Sequence, residues 1–225
     1  MRTATLRRAA AIALGLALVV AGCAPRLAPA PTARLVPGRG EGAEATEAGV
    51  TVEARVGAWQ ARPVDLELLV TPVLVTVDNQ SGRPLRVRYE HFELVAGGRA
   101  YVARSPFAVR GWVSEPLAAL PRPWLGFRVV GVHRGRTILL ADPFLDPFWW
   151  DPFPGWRYGR VGLPTGDMVA LALPERTVEP GARVTGFVYF DRLTRDGADV
   201  EFVMHLVDAR SGDEFGRVVI PFVLR

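Results

Sequence analysis

The sequence contains no lysine: all 27 basic residues among its 225 positions are arginine. A phosphate-loop lysine, a Schiff-base lysine and a Ser-Lys dyad are therefore excluded. Cysteine is nearly absent too, and with Cys23 alone the chain can form no internal disulfide. Histidine occurs only as His91, His133 and His205, in no HExxH arrangement. The serines beyond Cys23 are Ser81, Ser105, Ser114 and Ser211, none within a nucleophile-elbow pattern. These shortages leave few candidates for catalysis or for a metal, and no cofactor is expected.

What is present begins with an export signal. Arg2, Arg7 and Arg8 form a basic start, and Ala9 to Val20 is an apolar run too short to cross a bilayer as a permanent helix. It ends in "VAGC", Val20 to Cys23, which resembles the lipobox of bacterial lipoproteins. The resemblance implies cleavage before Cys23 and a diacylglycerol thioether on its sulfur, so residues 1–22 are a signal peptide. Several acyl chains, at about 0.8 kcal/mol per buried methylene, hold a protein stably on a bilayer. Ala24 is not the Asp that lipoprotein families use for inner-membrane retention. The expected location is the cell envelope, at an outer membrane facing the periplasm where the cell has two membranes. Because residues 1–22 hold three Arg and no acid, the chain from Cys23 carries 24 Arg against 23 acids, a net charge of +1. So even a balance implies no general attraction to nucleic acid.

Residues 23–48 join the lipidated cysteine to a stretch rich in Ala, Pro and Gly without an aromatic residue, which reads as a disordered tether. The "GRGEG" within it, Gly38 to Gly42, lacks the strand and helix that a dinucleotide-binding motif requires. From residue 49 to 225 the dominant period is two. "VTVEARV" (Val50 to Val56), "PVLVTVDN" (Pro72 to Asn79) and "LRVRYE" (Leu85 to Glu90) read as strands, and "AGGR" (Ala96 to Arg99) as a hairpin turn. "RVTGFVYFD" (Arg183 to Asp191), "ADVEFVMHLVD" (Ala198 to Asp208) and "GRVVIPFVL" (Gly216 to Leu224) predict three more strands. "PTGDMVALALPE" predicts a short helix capped by Thr165 or Asp167 and stopped by Pro174. Asn79-Gln80-Ser81 matches a glycosylation sequon, but Asn is already explained there by the turn.

Asn79 and Ser81, Phe92 and Leu94, Pro180 and Gly181, and Gly186, Phe187 and Phe190 lie in a pattern that resembles immunoglobulin-like domains. Those are the domains of uncharacterised bacterial lipoproteins and of the telokin-like DUF4352 group. The resemblance implies an all-β, immunoglobulin-like antiparallel β-sandwich and carries no catalytic residue. This chain departs from it by a long aromatic and Pro-rich insertion, about residues 105–163. In it, "PWLGFRVVGVHRGRTILLA" (Pro123 to Ala141) suggests a hairpin turning at "HRGR".

The insertion also contains "DPFLDPFWWDPFPGWR", Asp142 to Arg157. Asp142, Asp146 and Asp151 each precede a proline, which makes them turn initiators before they are metal ligands. The aromatic residues Phe148, Trp149, Trp150, Phe153, Trp156 and Tyr158 are the candidate partner-binding residues. They can cover the sandwich, form a platform for a protein or glycan partner, or enter a membrane interface. Elsewhere, His91 and Glu93 can share a strand face, whereas Glu90 cannot. The resulting expectation is a lipid-anchored envelope protein that binds or scaffolds and does not catalyse. The alternatives are a carbohydrate-binding module using the Trp-rich loop, and a metal-dependent hydrolase using His91, His205 and the loop carboxylates.

Overall fold

The computed structural model describes residues 26–116, 127–133, 136–141, 158–193 and 199–225. Its strands, in chain order, are β1 (Leu27–Pro29), β2 (Arg34–Val36), β3 (Glu41–Glu47), β4 (Val50–Val56), β5 (Val70–Asn79), β6 (Leu85–Val87), β7 (Phe92–Ala96) and β8 (Arg99–Val102). They continue with β9 (Trp112–Pro116), β10 (Phe127–His133), β11 (Arg136–Ala141), β12 (Tyr158–Gly162), β13 (Arg176–Val178), β14 (Arg183–Asp191), β15 (Asp199–Asp208) and β16 (Glu214–Leu224). The one α-helix among the described residues, α1, is Gly166–Ala170.

Two antiparallel sheets pack face to face as an all-β sandwich. The first runs β1-β16-β15-β6-β13, with β7 also paired to β15 and β8 to β7; the second runs β14-β5-β4-β3-β2. Alternation dictates the packing. On β15, Val200, Phe202, Met204 and Leu206 point inward, and they meet Val73, Val75 and Val77 of β5 in one buried cluster. Phe190 of the second sheet and Phe202 of the first meet edge to face at 6.2 Å across the layers. Burial of each such Val or Phe contributes about 1.5–3 kcal/mol of transfer free energy.

The sequence reading of residues 23–48 as a disordered tether is overturned from Arg26 onward. β1 pairs with β16 in the register Leu27↔Leu224. The Arg26 N–H donates to the Arg225 carbonyl at 2.6 Å, and Arg225 returns the bond at 2.8 Å. β2 and β3 form a hairpin on the β4 edge, where Ala43 lies opposite Ala54 and is fully buried. β3 shows no apolar period because Gly42 and Ala43 are its buried residues, so ladder hydrogen bonds hold it instead of large side chains. Arg55 completes the edge: its guanidinium donates to the carbonyls of Val36 and Pro37, the latter at 2.7 Å, and lies against Gly38 and Gly42. "GRGEG" is thus the turn into β3.

The outer face of the second sheet carries a smaller core that the sequence reading did not contain. Trp59 packs edge to face on Phe187 at 5.0 Å and its indole N–H donates to the Pro63 carbonyl at 2.8 Å. Leu66, Val113, Leu163, Met168 and Tyr189 join it. The base of the insertion is held here. β9 and β12 pair as a ribbon, Trp112 opposite Gly162 and Pro116 opposite Tyr158. Within the insertion, β10 and β11 form the expected antiparallel pair, with His133 opposite Arg136.

Candidate functional site

An open groove of about 760 Å³ lies along the β14 edge. Its floor follows from local chemistry. Thr165 caps α1, its hydroxyl oxygen accepting from the Met168 N–H at 3.3 Å while its O–H donates to the Arg62 carbonyl at 2.8 Å. Asp167 accepts from the Arg62 N–H at 2.9 Å, which ties the helix to the Trp59 loop. Beneath it, the Tyr189 O–H donates to the Met168 carbonyl at 2.8 Å. Burial pushes that phenol far above its ordinary range, so it remains a donor at every physiological pH.

Beyond the helix, residues 171–173 run beside β14. The Phe187 N–H donates to the Leu171 carbonyl at 2.8 Å and the Leu173 N–H to the Phe187 carbonyl at 2.9 Å. Gly186 permits this approach, because a Cβ there would stand 2.4 Å from the Leu173 Cα. On the far wall, the Tyr89 O–H donates to the Leu173 carbonyl at 2.8 Å, and Glu175 accepts from the Tyr89 backbone N–H at 3.0 Å. Burial, with the charge of Glu175, raises the Tyr89 pKa. The rim is apolar and open: Phe107 is 64% exposed and Leu171 44%. The groove can hold an apolar segment against Phe107, Val169 and Leu171. Among the described residues its lining includes no histidine.

A second concavity, of about 900 Å³, occupies the end of the sandwich where β1 begins. Arg26, Val64, Leu68, Arg192 and Arg225 are among its walls.

The histidines sit elsewhere. On the outer face of the first sheet, His205 stands between two carboxylates, Nδ1 at 3.0 Å from Glu214 Oε1 and Nε2 at 3.2 Å from Glu93 Oε1. Burial opposes its protonation, but the hydrogen bonds to Glu214 and Glu93 outweigh it and the net pKa is raised. His91 behaves in the opposite sense. It lies in a 3-10 turn (Tyr89–His91) that replaces the end of the strand predicted through Glu90, which stops at Val87, and its Nδ1 is 2.9 Å from the Arg86 carbonyl. Burial lowers its pKa. Glu93 thus pairs with His205 across strands and not with His91, with which it could have shared a face. Among the described residues no group of three or more His, Cys, Asp or Glu side chains is arranged to hold a metal ion. His133 falls on β10.

Of the residues singled out in the sequence, Cys23, Phe148, Trp149, Trp150, Phe153 and Trp156 lie outside the described residues, as do Asp142, Asp146 and Asp151. Tyr158 opens β12 opposite Pro116. The sequon asparagine, Asn79, is fully buried and its amide donates to the carbonyls of Arg83 and Val178, both at 2.8 Å, so it is a turn residue and no glycan acceptor. Sequence reasoning missed the groove, whose one early signal was Pro106-Phe107, an aromatic placed after a proline turn. Among the described residues no helix is long and apolar enough to cross a membrane.

No family model matches the sequence, and no curated protein does. Among solved structures, the chain is similar to a protein described as a putative lipoprotein (ycdA) from Bacillus subtilis. The identity is 13% and the TM-score 0.39, and the alignment covers 79% of this chain and 37% of that one.

Proposed function

We propose that this protein is a lipid-anchored component of the cell envelope that acts by binding, as a partner-recruiting or scaffolding module without catalysis. The anchor is Cys23, supported by the basic start, the short apolar run and "VAGC". An outer membrane facing the periplasm is the location that Ala24 favours.

One observation carries the binding role: the groove beside β14 exposes Phe107, Val169 and Leu171 together along one open channel. Exposed apolar side chains gathered around a concavity mark interaction sites on soluble domains. Tyr89 and Glu175 supply a polar end, each already engaged in a hydrogen bond that shapes the groove. An extended apolar peptide of an envelope partner suits this lining. The aromatic residues Phe148, Trp149, Trp150, Phe153, Trp156 and Tyr158 are a second contact candidate, for a protein or a glycan.

Photo-crosslinking in intact envelopes tests the role, with benzoylphenylalanine at Phe107 and, as the control, at Ser211. A discrete adduct from position 107 and none from 211 is expected. Equal patterns at both positions would remove the groove from the account. A peptidoglycan adduct, in place of a protein one, would favour the carbohydrate-binding reading.

A further inference from the structure

We infer that the end of the sandwich where β1 begins rests directly on the lipid bilayer that holds the anchor, with Val64 and Leu68 entering its surface. The inference rests on the lipid-anchored reading above and adds to it an orientation and a contact face.

Covalent reach sets the first constraint. Four residue steps separate Cys23 from Leu27, where the β1–β16 ladder starts. At full extension they span at most about 14 Å. The headgroup layer on each side of a bilayer is itself about 5–8 Å thick. A lipid on Cys23 therefore keeps this end of the protein within one short step of the headgroups. A flexible tether over residues 23–48 would have an r.m.s. reach of roughly 25–30 Å, about twice as far, but Leu27–Pro29, Arg34–Val36 and Glu41–Glu47 are built into the sheets.

What this end presents is the second constraint. Val64 is 57% exposed and Leu68 54%, and both line the concavity that Arg26 and Arg225 border. Leu66, between them, is fully buried in the Trp59 core, so the 3-10 turn that displays Leu68 is pinned from behind. The Arg192 guanidinium donates to the Leu68 carbonyl at 3.0 Å and holds the same turn. Large apolar side chains fixed outward, within reach of a lipid anchor and flanked by arginines whose heads can meet phosphates, match an interfacial contact.

Charge does not drive the contact. Arg26, Arg192 and Arg225 in the lining are balanced by Glu41, Asp65 and Glu67. The anchor supplies proximity, and apolar contact supplies orientation. A second copy of the chain or a protein partner would cover the same residues in a different way, and the test separates them.

Because Cys23 is the only native cysteine, lipidation leaves an introduced thiol as the one site for a spin label. Leu68→Cys places the label at the proposed contact. Ser211→Cys places it in the turn between β15 and β16, at the opposite end of those strands. Each full-length variant is expressed with its signal, purified, and reconstituted in phosphatidylethanolamine–phosphatidylglycerol vesicles. Collision with oxygen and with a water-soluble nickel chelate is then measured, and the mass of the N-terminal peptide is read on the same sample. The expected result is a several-fold higher oxygen-to-nickel ratio at position 68 than at 211. Equal ratios on a lipidated chain overturn the docking and leave the anchor standing. A label at 68 shielded from both reagents marks a protein neighbour and also overturns it. An unmodified Cys23 removes the anchor and the docking together.

Discussion

Asn79 closes the last turn of β5 by using its whole amide. Beyond its two donated bonds, its oxygen accepts from the Ser81 N–H at 3.1 Å and from the Ser81 hydroxyl at 2.6 Å. Replacing Asn79 with Ala leaves buried carbonyls unpaired and should cost about 1–3 kcal/mol in chemical denaturation. A cost near zero would show that water reaches these groups. The Asn-x-Ser turn was legible because its bonds to Ser81 and Arg83 are local, whereas the bond to the Val178 carbonyl, 99 residues away, was not legible. The role of His205 was not, because both of its carboxylates come from other strands. With its folded pKa raised above the ordinary 6.5, His205 contributes stability that is full below that value and is lost as pH rises through the folded pKa. His91, lowered, contributes above 6.5 and loses its share as pH falls through its folded pKa. Arg217, the register partner of His205 on β16, adds a like charge nearby. For His205→Gln the expected loss is about 0.2–1 kcal/mol at pH 5.5, vanishing by pH 9. Thermal melts across that range would contradict this if the gap between variant and wild type stayed constant.

Among the elements, those with two-residue alternation of large side chains were readable and those built from small residues were not. β4 spans Val50–Val56 and β14 spans Arg183–Asp191, the ranges that the sequence predicts. β3, "EGAEATE", has only Gly42 and Ala43 in buried positions, and nothing in such a run distinguishes an edge strand from a linker. Its place comes from the β4 ladder and from Arg55. The two readings separate cleanly at Ala43. Ala43→Asp places a carboxylate in the core and should destabilise the fold by on the order of 3 kcal/mol, whereas Thr32→Asp, at an exposed turn, should change little. Equal, negligible effects would restore the tether. Gly186→Ala tests the approach of residues 171–173 to β14. The added methyl meets backbone, so a loss of about 1–3 kcal/mol and weaker crosslinking from Phe107 are expected together.

For the whole molecule, alternation announced strands and the class, an all-β sandwich, but not which strands are neighbours. β6 and β7 both pair with the same side of β15, separated by the Tyr89–His91 turn, and no periodicity encodes that. Of the candidate site, the anchor proposed at Cys23 rests on a local sequence signal and lies outside the described residues. The groove was hidden because its walls come from positions 74 to 187 and form only on packing. On the proposed reading these features combine into a sandwich whose first strand follows four residues after the anchoring Cys23, with that end toward the bilayer and a groove open along β14. The measurement that bears most directly on this account is the intact mass of the mature N-terminal peptide. The account predicts a chain beginning at Cys23 and carrying a diacylglyceryl group. A chain that retains residues 1–22, or that begins at an unmodified Cys23, would contradict it.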